Sequence, residues 1–185
     1  MMIGPVFYRA MCLALLFLFV GCATPTLTFP PVTTSGIADS PFVIAGRFSV
    51  NVDGRGYVAP FVWHHAPEQD ELLMNTPIGT TIARITRDAR GVILDTAGKQ
   101  WYASDVDTLT EQQLGWILPL ANLVWWIRGY PAPDVPARVD AQGSLVQQGW
   151  TIQFFSDSAA PLPHPKRIDL SRENLKLRVI VQSYR

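Results

Sequence analysis

The chain has 185 residues, no formal net charge, and is 48% hydrophobic against 16% charged. That combination fits one domain with a sizeable buried core and excludes a chain that is disordered throughout. No basic face or basic run is present, which excludes nucleic acid as a partner class.

The first segment reads as an address. Arg9 and Asp39 are the only charges before Arg47, and Arg9 is followed by an apolar run from Ala10 to Val20 that ends in Gly21-Cys22. This is a charged n-region and an h-region of signal-peptide length, too short for a comfortable permanent span. Both cysteines, Cys12 and Cys22, lie here, so they cannot form a disulfide framework for the domain. A small residue before a cysteine is the lipoprotein-type cleavage pattern. Residues 1–21 are therefore expected to be removed, leaving Cys22 as the first residue of the mature chain, with an N-terminal diacylglycerol and an N-acyl group. Phe19 stands where leucine is usual, a mild departure. Position 23 is Ala rather than Asp; by resemblance to the sorting pattern of Gram-negative lipoproteins this implies an outer-membrane destination, lipid-anchored and facing the periplasm. Loss of Arg9 leaves the mature chain slightly negative. Residues 22–41 carry Pro25, Pro30, Pro31 and Pro41 among Thr and Ser without helical or strand period, and read as a tether. A coil of about 20 residues spans roughly 25 Å.

The domain occupies 42–185. Phe42 to Val52 alternates, with Phe42, Ile44, Phe48, Val50 and Val52 on one face. Asp53-Gly54-Arg55-Gly56 turns the chain into Tyr57 to His65, where Pro60 points to an edge or a bulge. Glu71 to Asn75 and Thr80 to Arg87 follow, then Gly91 to Thr96 and Lys99 to Ala103 around Ala97-Gly98. Short turns between strands make an antiparallel meander. Ser104-Asp105 then caps a helix through Leu114, stopped by Gly115. Pro119 opens a second helix, with Leu120, Leu123, Val124 and Ile127 at helical spacing and Gly129 at its end. Strands resume at Ala137 to Asp140, Ser144 to Gln148, Trp150 to Phe155, Arg167 to Ser171 and Leu175 to Gln182. The expected fold is mainly β (α+β): about eleven antiparallel strands, a sheet large enough to curl, with a mid-chain helical lid.

One turn departs from ordinary turn chemistry. Thr76-Pro77-Ile78-Gly79 joins two strands, and Pro and Gly two apart punctuate a tight turn. Turn tips lie in water and are normally polar. Ile78 must either fold back onto a core or protrude into something apolar.

Other candidates carry less chemistry. His64 and His65 are neighbours in a strand and point to opposite faces, so they are expected as a surface pair at a strand end, not a metal site. His164 lies in a proline-flanked loop without an identifiable partner. Asp105-Val106-Asp107-Thr108 resembles the aspartate motif of some phosphotransferases, but here it opens a helix in a β-rich chain, where acidic residues favour the positive end of the dipole. No phosphate loop, serine elbow or zinc spacing is present. No enzyme activity and no metal are expected. Trp116, Trp125 and Trp126 place much bulk in or beside the second helix, as core or as a lid.

Taken in order, Gly46-Arg47-Phe48-Ser49-Val50, Trp63, Thr76-Pro77-Ile78-Gly79, Gly115-Trp116, Leu118-Pro119, Leu123, Trp126-Ile127, Gly129, Pro131, Gln148-Gly149-Trp150 and Leu162-Pro163 resemble the LolB family of outer-membrane lipoprotein receptors, as do Cys22 and the closing strand. The resemblance implies a half-open antiparallel barrel with a helical lid over an apolar cavity. It implies a protein that accepts acylated lipoproteins from the periplasmic carrier LolA and places them in the inner leaflet of the outer membrane. The family's membrane-engaging turn matches Pro77, Ile78 and Gly79. Acyl-cavity or lid residues are expected at Phe48, Val50, Phe61, Trp63, Leu72, Met74, Trp116, Leu123, Trp126, Ile127 and Trp150. Two features depart from the family pattern: the segment Thr33 to Pro41 leaves little room for an amphipathic helix before the first strand, and the tip is Ile where Leu is usual. With no nucleotide motif, transfer must run downhill, and no cofactor beyond the acyl groups on Cys22 is expected; the protein is expected to act as a monomer. The rival readings are a lipoprotein of similar fold that binds a lipid or glycolipid, and a structural assembly factor.

Overall fold

A computed structural model describes residues 40–156 and 164–185. The chain divides into two compact units, 1–30 and 31–185, and the described residues all belong to the second. The signal peptide, Cys22, most of the tether, the segment before the first strand and Leu162-Pro163 lie outside them.

The strands follow from their alternation. β1 (Phe42–Val52) buries Phe42, Ile44, Phe48 and Val50 and turns Arg47 outward. It runs antiparallel to β2 (Arg55–Ala66) through Phe42↔His65 to Val52↔Arg55. β3 (Gln69–Asn75), β4 (Thr81–Asp88), β5 (Gly91–Thr96) and β6 (Lys99–Ala103) continue the meander. After two helices come β7 (Ala137–Val139), β8 (Leu145–Gln147), β9 (Trp150–Phe155), β10 (Arg167–Arg172) and β11 (Leu175–Tyr184). β11 returns to pair with β1, so the sheet order is β6-β5-β4-β3-β2-β1-β11-β10-β9-β8-β7. The eleven strands do not close: β6 and β7 are free edges.

The helices lie between those edges in the chain. α1 (Val106–Leu114) is capped by Asp105, whose carboxylate accepts from the Thr108 amide at 2.8 Å, and is ended by Gly115 at φ 75°, the left-handed stop a glycine supplies. α2 (Leu120–Trp126) follows Pro119 and is shorter than the expected run to Gly129. Buried Thr110 joins the two: its hydroxyl donates to the Val106 carbonyl at 2.9 Å and accepts from the Leu118 amide at 2.9 Å. α1 packs on β5 and β6 and touches α2.

The core fills the space between sheet and helices. Ile44, Trp63, Ile85, Leu94, Ile152, Ile168 and Val179 from the sheet meet Leu109, Leu118, Leu120, Trp126 and Ile127 from the helical segment, all at or near full burial. A mainly β half-open barrel with two mid-chain helices is thus the observed fold.

Two expectations need correction, while the edge expected at Pro60 is found: Pro60 sits within β2, opposite Arg47 of β1. It is tolerated because β3 pairs with β2 only as far as Phe61↔Met74, so Pro60 has no ladder partner on that side and its missing N–H costs nothing. His65 is no surface residue: it is buried beside Asp70, with its ring stacked on Phe42 at 4.7 Å. His164 does have partners: it is buried, stacks on Tyr184 at 4.5 Å, and donates from Nδ1 to the Pro165 carbonyl at 3.0 Å.

Candidate functional site

The turn between β3 and β4 is built by its own polar groups. The Gly79 amide donates to the Thr76 carbonyl at 2.9 Å, the Thr76 amide to the Thr80 carbonyl at 2.7 Å, and the Thr80 amide to the Thr76 hydroxyl at 3.1 Å. Thr81 closes the base by donating to the Asn75 side chain at 2.9 Å. Pro77 takes the second turn position, which its fixed φ suits. Gly79 has φ 91° with open space where a Cβ would stand, so backbone conformation and not crowding asks for glycine there. The outcome for Ile78 is protrusion: its side chain is 90% exposed. Pro77 and Gly79 are exposed with it. A register shift at Met74/Asn75 leaves Ile82 nearby and half exposed. Across from the loop, β2 runs on past the end of β3, and Tyr57 and Val58 are largely bare.

Behind the loop lies the apolar interior. Phe48, Phe61, Trp63, Leu72, Met74, Leu123 and Ile127 surround one internal space, joined by Leu118 and Val179. The remaining candidates stand elsewhere in the core: Val50 and Trp150 are buried in the sheet, Trp126 lies 6.3 Å from Trp150, and Trp116 is half-buried and stacked on Phe48 at 5.9 Å. The space is nearly filled. Its free volume is about 10 Å³, the lower limit for a single water. An acyl chain can enter only if the helices or side chains move.

Polar groups set into the core were not singled out from the sequence. Asp70 accepts from Trp63 Nε1 at 2.8 Å, His65 Nδ1 at 2.7 Å and Arg87 Nε at 2.5 Å. Burial pushes its pKa up, but the hydrogen bonds from His65, Trp63 and Arg87 and the charge of Arg87 outweigh it and hold the carboxyl below 3.8. Gln147 binds Trp126 and the backbone at Ala132 and Val135. Arg128, just past α2, lies over the Phe42 ring at 4.8 Å and donates to the Ser40 carbonyl at 2.5 Å and the Tyr184 hydroxyl at 3.3 Å. Strand phase could have found two of these: Asp70 shares a face with Leu72 and Met74, and Gln147 with Leu145. Asp107 differs from Asp70. Burial and then the neighbouring Asp105 raise its pKa from 3.8 to about 6, with Arg172 pulling the other way. Among the described residues, no group of three or more His, Cys, Asp or Glu is placed to hold a metal.

These features define a half-barrel domain with a helix-covered apolar interior and a bare isoleucine at one hairpin tip. The family model described as outer membrane lipoprotein LolB matches residues 40–184. A protein of Chromobacterium violaceum named outer-membrane lipoprotein LolB is 50% identical over 176 residues, covering 95% of this chain and 98% of its own. One of the same name from Nitrosomonas europaea is 32% identical over 194 residues, covering 95% and 92%. A solved LolA superfamily protein of Nitrosomonas europaea aligns over 80% of this chain and 86% of its own, at 9% identity with a TM-score of 0.45. The chain belongs to the LolB family of outer-membrane lipoproteins.

Proposed function

We propose that this lipoprotein receives acylated lipoproteins from a soluble LolA-type carrier and inserts them into the inner leaflet of the outer membrane, without hydrolysing nucleotide. Cys22 carries the acyl anchor that holds it there, and two or three chains at about 0.8 kcal/mol per methylene keep it on the bilayer. Ile78 is the observation that carries the reading: an apolar side chain, 90% exposed, on a turn braced by four hydrogen bonds.

Energetics shape the mechanism. Cargo acyl chains represent tens of kcal/mol of hydrophobic free energy at about 0.8 kcal/mol per methylene, so they do not pass through water. Carrier and receptor align their openings and the chains slide between apolar interiors. The receptor's interior is closed at rest, with about 10 Å³ free. Loading therefore moves the helical segment or the side chains beneath it, and the exposed core drives either refilling or closure. Burial of one isoleucine contributes about 1.5–3 kcal/mol, too little to anchor the domain but enough to orient one already tethered.

The test is Ile78→Glu in the full mature chain. Ile78 touches little, so stability is expected to stay within about 0.5 kcal/mol of the parent. Cargo is still taken from loaded carrier, while its delivery to liposomes falls sharply. Normal delivery by the variant sinks the role of Ile78. Loss of one protein partner with cargo handling intact favours an assembly factor instead.

A further inference from the structure

The convex face of the sheet is unevenly charged. Its outward positions on β1, β11 and β10 include Arg47, Lys176, Arg178 and Arg167, against one carboxylate, Asp169. Asp169 is taken up by Arg178, which donates to both its oxygens at 2.8 and 2.7 Å. Arg47 and Lys176 are exposed and have no charge partner among the described residues. Farther along the same sheet the signs balance: Arg84 meets Glu71 at 3.5 Å and Arg90 meets Asp88 at 2.7 Å.

A groove of about 460 Å³ opens on the cationic part, a volume suited to a small ligand. Its walls carry Lys176, the Arg178–Asp169 ion pair, Ser49, Asn51 and Ser171 as hydrogen-bonding groups, and Val58 as an apolar rim. Lys176 is thus the lining cation whose charge is not taken up by a carboxylate among the described residues. The groove and the Ile78 turn lie at the same end of the sheet: β3 leaves β2 at Phe61↔Met74, and the stretch 55–60 beyond it pairs with β1 alone. Val58, 69% exposed, stands on the groove's face of that stretch opposite Ser49, while Tyr57, 63% exposed, alternates to the other face opposite Val50. The centre of the groove, on β11, lies three strand spacings from β3, roughly 14 Å at about 4.8 Å each. An exposed valine beside Lys176, at the end of the sheet that carries Ile78, matches the order of a bilayer surface from acyl region to phosphate.

We propose that this groove takes the phosphodiester headgroup of an anionic phospholipid in the same bilayer that Ile78 enters. The inference rests on the reading of Ile78 as the membrane-engaging residue. A membrane fits better than an acidic protein because the groove lies at the end of the sheet that carries exposed Ile78 and the chain belongs to a family of outer-membrane lipoproteins. One side chain in the bilayer leaves the domain free to rotate about it. A second contact on the headgroup fixes that rotation, and with it the direction in which the interior opens.

The experiment uses the full mature chain with Cys22→Ala, so that no acyl anchor contributes. Its binding is measured by co-sedimentation with vesicles of phosphatidylethanolamine alone or mixed with phosphatidylglycerol. Lys176→Glu is expected to weaken binding to the mixed vesicles at least about five-fold, the factor for one cation near an anionic surface. It leaves binding to the phosphatidylethanolamine vesicles unchanged, and high salt removes the difference. Arg47→Glu, on the same face but outside the groove, shifts binding less. Ile78→Glu weakens binding to both vesicle types, and that arm reports on the underlying reading separately. Parental binding of Lys176→Glu to the mixed vesicles overturns the inference whatever Ile78→Glu does. Release of the parent by inorganic phosphate at constant ionic strength identifies a free-anion site and overturns the bilayer assignment. Loss of cargo uptake from carrier in Lys176→Glu, with vesicle binding intact, marks a protein-docking face and overturns it too.

Discussion

The indole N–H of Trp126 donates to the side-chain oxygen of Gln147 at 2.9 Å inside the core. The same oxygen accepts from the Ala132 amide at 2.9 Å, while the Gln147 NH2 group donates to the carbonyls of Ala132 at 2.8 Å and Val135 at 3.1 Å. One buried amide from β8 thus holds the last residue of α2 and the loop that follows it.

Gln147→Leu keeps the volume but leaves the Trp126 and Ala132 donors unpaired in an apolar setting. Each orphaned group costs about 1–3 kcal/mol, so a loss of about 3 kcal/mol is expected. Urea unfolding monitored by tryptophan fluorescence measures it. A loss below about 1 kcal/mol would show that the α2 attachment depends on packing alone.

Gly46 sits where the β1–β11 register shifts, and an added Cβ would stand 1.9 Å from the Ile180 carbonyl oxygen. That atom belongs to backbone and cannot step aside. Gly46→Ala is expected to cost at least about 3 kcal/mol, at the upper end of overpacking effects. Gly54→Ala is the contrast: φ is 80° but nothing lies within 4 Å, so the cost is only the left-handed penalty of about 1–2 kcal/mol. Thermal melts of the two variants should separate clearly.

Asp70 anchors Trp63, His65 and Arg87. Its carboxyl is held below 3.8 in the fold, so the folded state binds fewer protons than the unfolded one. Its contribution is therefore fully present above about pH 4 and lost as pH falls through the lower folded value. Asp70→Asn is expected to be less stable at pH 7 by about 3 kcal/mol, the usual cost of breaking a buried charge pair. Urea unfolding across the acid range should show the deficit shrinking as the parent's own carboxylate is protonated.

Asp107 has the opposite sign. With its pKa raised from 3.8 to about 6, the folded state binds more protons than the unfolded one, so stability is full below 3.8 and declines as pH rises toward about 6. Asp107→Asn is expected to be the more stable protein at pH 7 and to match the parent at pH 3.5. Solvent reaches the half-buried side chain, which holds the gain to about 1 kcal/mol. Unfolding midpoints at the two pH values check it.

Local signals made most of the fold legible. Alternation placed every strand within a few residues, Asp105 and Gly115 marked both ends of α1, and Pro77 and Gly79 marked the turn. These depend on neighbours within a few positions. The hydrogen-bond partners of His65 and Gln147 are not legible locally because they depend on what lies opposite across the core. Pro60 is admitted only because β3 ends early, and Asp70 keeps its charge inside only because residues 63, 65 and 87 converge on it.

The same division applies to the site. The order of residues alone determined that an isoleucine would occupy a Pro-Gly turn and that apolar side chains would line one face of the sheet. Only the tertiary structure decided that Ile78 is bare, that the interior beneath the helices is filled, and that cations gather on the convex face near the turn. Exposure, free volume and charge clustering are set by strands far apart in sequence, such as β1 meeting β11, and no local pattern encodes which of them will meet.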